Sequence, residues 1–273
     1  FGGLDRGSEL HEDKDCIQNL LEAEETLIVP VWRKLNLFSK IEGKGGKPLP
    51  AFLPVDEISP LISTSCHKVF LGRQKLTLKT PAYLAIDVSA LDEEEVETSF
   101  AEWGYFNDLR NISPLIDGVE GSILGYARAM IYWHSQNQFC GVCGNSTKPS
   151  KCGHQRDCVN RECGSSHFPR TDSAVIMLVH DRDRALLGRQ NIWPEGMYSL
   201  LAGYVEPGET IEHAVAREVW EESGIIVKNI KYRHSQPWPF PSSLMLGFTA
   251  KAVTEKINYN ENEIEDVQWF TRD

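Results

Sequence analysis

From Gly203 to Ile225 the chain leaves itself little choice of local structure. Gly203 ends the apolar stretch Tyr198-Ser199-Leu200-Leu201-Ala202, and Pro207-Gly208 makes a turn. Thr210 can cap a helix and Gly224 can end it, with Ile211, Ala214, Val215 and Val219 as the buried stripe between them. On that helix Glu218, Glu221 and Glu222 stand three and four apart, so three carboxylates crowd one face. Such a cluster repels itself unless cations neutralise it. Oxygen-only ligands from a few carboxylates suit Mg²⁺ or Mn²⁺, with water and substrate phosphate completing the shell. Arg217 can pair with Glu209 or Glu221 and hold them in place. An ordinary solvated helix also carries charges, but it has no need of glycine, glutamate and arginine at all these fixed spacings.

A second constraint is the cysteine distribution. Of seven cysteines (Cys16, Cys66, Cys140, Cys143, Cys152, Cys158 and Cys163), five lie within 24 residues. The odd count and the clustering favour a metal site in a reducing compartment over a disulfide framework. Cys140-Gly141-Val142-Cys143 forms one knuckle, and Cys158 with Cys163 is the best match to a second; Cys152, His154 and His167 are the other candidates nearby. Four sulfurs would close the coordination sphere of a structural Zn²⁺. Lys148, Lys151, Arg156, Arg161 and Arg170 lie in or beside this cluster, which admits nucleic-acid contact as a second reading and a solvated charged face as the commoner one.

The length, 273 residues, accommodates two domains. A net charge of −11 argues against general binding to nucleic-acid backbone or anionic membrane, though not against a locally basic groove. No apolar run reaches the roughly 18 residues of a membrane span. Phe1 stands first and the chain stops directly after a strand-like run, so a longer native chain is expected, with any targeting signal outside this sequence. Thr26–Val31, Lys68–Gln74 and Tyr83–Val88 read as strands, Cys16–Leu21 as helix or turn, and Pro114–Trp133 as helix. Leu71-Gly72-Arg73-Gln74 recurs as Leu187-Gly188-Arg189-Gln190; the repeat is either chance or the trace of an N-terminal copy of the C-terminal fold that has lost the glutamates.

The run G-x5-E-x7-R-E-V-x-E-E-x-G-I from Gly203 to Ile225 resembles the Nudix box, and the chain is identified on it as similar to Nudix hydrolases. The resemblance implies an α/β/α sandwich around a mixed sheet (class α/β, or α+β) that hydrolyses a nucleoside diphosphate linked to another group. It implies two or three Mg²⁺ or Mn²⁺ ions on Glu218, Glu221 and Glu222, with the Ala202 carbonyl as a further contact. The general base is left among Glu221, Glu222 and a later glutamate, for which Glu263 is the candidate extra ligand or base.

Downstream, Ser235-Gln236-Pro237-Trp238-Pro239-Phe240-Pro241-Ser242-Ser243 reads as a stiff loop with flat apolar surfaces suited to planar rings, or merely as rigid packing. Its place after the box resembles the motif of the NADH pyrophosphatase subfamily, as do the zinc knuckle and the degenerate N-terminal domain ahead of it. That resemblance implies cleavage of NADH or NADPH to reduced nicotinamide mononucleotide and AMP or its 2′-phosphate. It also implies removal of NAD caps from RNA, a homodimer, and an intracellular setting in peroxisome, plastid, mitochondrion or cytosol. Phe168, where the family often has a ring-stacking tyrosine, and Tyr204 would sandwich a base or nicotinamide. The implied layout is a degenerate domain at 1–125, a linker helix at 126–138, a zinc ribbon at 139–168 and a catalytic domain at 169–273. A reading of a different class is a zinc-ribbon binding module with an inactive Nudix domain.

Overall fold

Apolar residues on both sides of a strand call for cover on both sides, and the N-terminal half has two such strands. The computed structural model, which describes residues 3–41, 43, 45–74, 80–259 and 264–272, divides into two units. Unit 1 is Phe1–Arg170 with Pro239–Pro241; unit 2 is Thr171–Trp238 with Ser242–Asp273.

Unit 1 has strands β1 (Leu4–Asp5), β2 (Thr26–Trp32), β3 (Leu35–Ser39), β4 (Leu53–Pro54), β5 (Lys68–Gln74), β6 (Ala82–Asp87) and β7 (Gly104–Asn107) in one sheet. Their order is β1-β5-β6-β2-β3-β7, with β4 paired to β2. The doubly apolar strands β2 and β6 lie side by side in parallel, which is where strands buried on both faces belong. Helices α1 (Cys16–Glu22), α2 (Ser59–Thr64) and α3 (Glu93–Phe100) carry residues that pack with Ile28, Phe70, Leu84 and Ile86. A short α4 (Leu109–Ile112) and the long α5 (Gly118–Gln136) pack with the alternating set, Val29, Val31, Val69 and Ala85. The helix expected from Pro114 begins at Gly118, because Ser113–Leu115 forms a 3₁₀ turn first. Its residues Leu124 and Ala127 are fully buried, so α5 is core rather than a free strut.

The cysteine-rich segment of unit 1 forms a three-stranded sheet of β8 (Thr147–Ser150), β9 (Gln155–Cys158) and β10 (Ser166–His167), with β9 in the middle. Histidines pin it to β5 and to α5. His154 Nε2 donates to Phe70 O at 2.7 Å, and His134 Nε2 donates to Gly153 O at 2.8 Å while its Nδ1 accepts from Arg156.

Unit 2 contains β11 (Asp172–Asp181), β12 (Arg184–Arg189), β13 (Leu201–Tyr204), α6 (Ile211–Ser223), β14 (Val227–Trp238), β15 (Ser243–Ala252) and β16 (Asp266–Phe270). The sheet order is β14-β15-β11-β12-β16, with β13 on β11, and β11 runs parallel to β15. Val215 and Val219 of α6 close one face over Val175, Met177, Val179 and Phe248.

The two sheets repeat one wiring. β2, β3, β4, β5, β6 and β7 pair among themselves as β11, β12, β13, β14, β15 and β16 do, including the parallel central pair. The duplication is therefore real, but the repeated Leu-Gly-Arg-Gln is not its trace. Residues 71–74 lie on β5, whose counterpart is β14, whereas 187–190 lie on and just after β12, whose counterpart is β3. Where α6 stands in unit 2, unit 1 has the six-residue α2 and no glutamate triad.

Leu124→Ala is expected to cost unit 1 about 2–5 kcal/mol, read from the urea midpoint; an unchanged midpoint would show that α5 is dispensable to that core. Burial holds His134 down to about 3 and His154 down to about 4. Both are therefore neutral when folded, and only the unfolded chain gains protons as pH falls below about 6.5. Stability from each is full above that pH and is lost toward the folded values, at up to about 1.4 kcal/mol per pH unit per histidine. Urea midpoints taken from pH 7.5 to pH 5 should fall accordingly, and a flat profile would refute the assignment.

Candidate active site and cysteine cluster

The catalytic candidates are set by one close approach. Gly203 on β13 faces α6, and a Cβ built there would lie 1.9 Å from the Glu218 carboxyl carbon. Only glycine lets that carboxylate lie against the strand. Helix α6 is fixed at both ends as its sequence indicates: Thr210 Oγ1 accepts from His213 N at 3.2 Å, and Gly224 takes a left-handed φ of 69°. A side chain at 224 would also meet Asn258 O at 2.6 Å. Ala214, Val215 and Val219 are buried as expected, but Ile211, the first residue of α6, is exposed.

Arg217 organises the acids. Its Nε and Nη2 donate to Glu209 at 2.9 Å each, and Nη1 donates to both Glu218 and Glu221 at 2.8 Å. Nη2 also donates to Tyr204 O at 2.9 Å, tying the helix to β13 beside Gly203. The expected pairing with Glu209 or Glu221 is thus a pairing with both, and with Glu218. Hydrogen bonding to Arg217 holds Glu209 below the usual carboxylate range, while burial pushes the Glu218 carboxyl up. A partly buried anion whose neighbours include two more carboxylates is one that an added cation would stabilise. Glu222 is half-buried on the same helix. Among the described residues the glutamate oxygens do not converge as a set of three; only the cysteines do. Glu263 lies outside the described residues.

The Ser235–Ser243 segment is less of a loop than expected. Ser235–Trp238 belongs to β14 and Ser243 opens β15, so the connection is confined to residues 239–242. Gln236 pairs with Met245, Pro237 with Leu244, and Trp238 with Ser243. Tyr204 OH lies 3.4 Å from Ser243 Oγ, so Tyr204, Trp238 and Ser243 gather at one place in unit 2. The tip goes elsewhere: Pro239, Phe240 and Pro241 cluster with unit 1, where Arg128 donates to Pro239 O. Arg110 and Arg128 stack on the Phe240 ring at 5.0 Å and 4.7 Å. Arg128 escaped the sequence reading because nothing local marks a helical arginine as the partner of a proline loop over a hundred positions away. Ser242 Oγ donates to Asp172 at 2.9 Å. Phe168, in unit 1, is exposed.

Cys140, Cys143, Cys158 and Cys163 present sulfurs that all lie within 4.8 Å of one another. The Cys140–Cys163 and Cys143–Cys158 separations are 3.8 Å and 3.4 Å, near the edge of roughly 3.8 Å for a tetrahedron with zinc–sulfur bonds of about 2.3 Å. Val142 N and the Asn145 side chain donate to the knuckle sulfurs. Asn145 brings the Cys143 thiol down to about 6, while burial pushes Cys158 up to about 12. As thiolates, four sulfurs this close would need a cation, and the cluster could hold zinc. His167 Nε2 sits 3.3 Å from Cys140 Sγ, outside the four. Cys152 is not a bystander: it is joined to Cys16, 136 residues away. A clustered count cannot reveal that partner, since Cys16 is distant in sequence. Of the basic residues considered for nucleic-acid contact, Arg156 is buried against Thr147 and His134, and Lys151 pairs with Glu12.

Residues 169–273 match the NUDIX domain, and residues 25–133 match the NADH pyrophosphatase-like rudimentary NUDIX domain. The chain is 48% identical over 162 residues to the NAD-capped RNA hydrolase NUDT12 of Homo sapiens, covering 56% of this chain and 35% of that protein. It is 49% identical over 161 residues to Nudix hydrolase 19, chloroplastic, of Arabidopsis thaliana, covering 56% and 37%. It is 47% identical over 168 residues to the NAD-capped RNA hydrolase NudC of Mycobacterium bovis, covering 61% and 53%. The chain thus spans about a third to a half of the length of these curated relatives.

Proposed function

This chain carries a Nudix domain behind an NADH pyrophosphatase-like N-terminal domain, and from that premise we propose that it hydrolyses the pyrophosphate bond of NADH or NADPH. The products are reduced nicotinamide mononucleotide and AMP, or 2′,5′-ADP from NADPH. The observation that carries the reading is the Gly203 cradle, which brings the partly buried Glu218 carboxylate against β13 beside two further acids held by Arg217.

The donor set fits Mg²⁺ or Mn²⁺, because it is made of oxygen and is in excess of the one arginine that shares it. Glu218, Glu221 and Glu222, with the Ala202 carbonyl and Glu263, would hold two or three such ions. Ions held there would supply positive charge against the diphosphate and acidity to a bound water. Arg217 orients Glu218 and Glu221 through one nitrogen, so the two carboxylates keep a fixed spacing. A carboxylate, that of Glu221, Glu222 or Glu263, takes the proton of the attacking water. Tyr204, Gln236, Trp238 and Ser243 of unit 2 supply ring faces and polar edges for a dinucleotide.

The names of the relatives support a second substrate, NAD-capped RNA, which presents the same bond. The four-cysteine site is structural, holding one Zn²⁺, and the working unit is a homodimer. We divide the chain functionally into 1–125, 126–138, 139–168 and 169–273, with chemistry in the last. No helix among the described residues is long and apolar enough to cross a membrane.

Gly203→Ala should displace Glu218 and lower kcat/KM on NADH by about 100-fold, the scale of a misplacement near 1 Å, with the circular dichroism spectrum retained. Wild-type protein that releases no mononucleotide from NADH, NADPH, NAD or ADP-ribose with Mg²⁺ would instead support the zinc-ribbon binding module. Metal analysis of purified protein should give about one zinc per chain, the number a single four-sulfur site holds. Cys143→Ser should lose that zinc together with unit 1 stability; zinc retained by the variant would exclude these ligands.

A further inference from the structure

In a chain with 39 acidic residues and a net charge of −11, no Asp or Glu occurs between Glu222 and Glu255. That interval holds Lys228, Lys231, Arg233, His234 and Lys251. It covers the whole of β14 and β15, and β14 is the terminal strand of its sheet, exposed from Ser235 through Trp238 and at Lys228, Lys231, Arg233 and His234.

Register puts these charges on one face. Phe248, Ala250 and Ala252 of β15 point into the core under α6, so Ser243, Met245, Gly247, Thr249 and Lys251 point the other way. Their partners on β14 are Trp238, Gln236, His234, Lys231 and Lys228. Arg233, at a register shift, is turned to the same side, since its Nε donates to Thr249 Oγ1 at 3.0 Å and leaves its remaining N–H groups available. Lys228 stands directly opposite Lys251, a like-charge pair that destabilises a sheet unless an anion lies over it. Asp181, one residue beyond the position on β11 that pairs with Lys251, is bound by Arg184 at 2.6 Å. The row therefore runs from Lys228 to Gln236 and Trp238, roughly 30 Å of extended strand at about 3.4 Å per residue. It ends on the residues assigned above to the dinucleotide.

We propose that Lys228, Lys231, Arg233 and Lys251 form a rail along β14 and β15 for the phosphate backbone of a single-stranded RNA whose 5′ end occupies the Trp238 end of the same sheet face. The proposal rests on the NAD-directed reading of the site and selects the capped polynucleotide as the substrate that uses more of the surface. A free dinucleotide reaches only the Trp238 end. The phosphates of a chain beyond it are polyanionic, and basic side chains spaced along an extended strand match them without reading sequence. Tyr232, exposed and edge-on to Phe248 at 5.6 Å on the opposite face, is not part of the rail.

The test uses the full chain and the variant Lys228→Gln/Lys231→Gln/Arg233→Gln, none of whose positions belongs to the proposed catalytic set. On free NADH its kcat/KM should stay within twofold of wild type, which also reports correct folding. On a 20-nucleotide NAD-capped RNA kcat/KM should fall by at least tenfold, mostly through KM. A second arm measures binding of the uncapped RNA of the same sequence by fluorescence anisotropy. Loss of three phosphate contacts should reduce the log–log salt slope by about 2, at about 0.7 per contact for single strands. Equal losses on both substrates, or no loss on capped RNA together with an unchanged salt slope, would overturn the rail. If wild-type protein cleaves neither substrate the catalytic reading fails, and the binding arm still decides the rail: RNA bound equally by wild type and variant removes it.

Discussion

The approach of Glu218 to the backbone of Gly203 is the contact on which the site depends. It places a carboxylate in a partly buried position, which raises the cost of its charge and makes a counter-ion valuable. Arg217 meets part of that cost and spreads it over Glu209, Glu218 and Glu221. The helix must then end sharply to let β14 return along the sheet, and Gly224 supplies the left-handed residue that permits it. Turn, cradle, clasp and stop form one mechanical unit.

Duplication explains the remainder of the architecture. Both sheets have the same strand pairing, but unit 1 replaces the glutamate helix with a six-residue α2 preceded by a 3₁₀ turn. A helix that short cannot present three carboxylates on successive turns. Unit 1 devotes its surface to packing instead, with helices on both faces of its sheet and the cysteine ribbon pinned to β5. The Cys16–Cys152 bond joins α1 to the same ribbon hairpin, so covalent and hydrogen-bonded links converge on one short stretch, 150–156.

The proline-rich hairpin shows how one segment can serve two roles. Its strand portion carries Gln236 and Trp238 beside Tyr204 and Ser243, whereas its tip is held by arginine stacking on Phe240 and by Arg128 on the Pro239 carbonyl. Alternating prolines suit both roles: they stiffen the turn, and on an edge strand a missing N–H costs no ladder partner. The absence of acid along the same two strands leaves a cationic face in a protein that is otherwise strongly anionic.

The sequence by itself determined the caps of α6, the arginine–glutamate pairing, the four cysteines and the strands around the core, because each follows from spacing within a few residues of one element. Local chemistry of that kind needs no knowledge of the rest of the chain. It also indicated a duplicated fold, though through a repeat that does not occupy matching strands. Tertiary structure alone decided that Cys152 joins Cys16, that Arg128 holds the proline turn, that Arg156 is buried rather than offered to a ligand, and that Lys228 faces Lys251. Each of those depends on strand register or on residues brought together across many intervening positions, and a linear pattern carries no record of which distant groups will share a face.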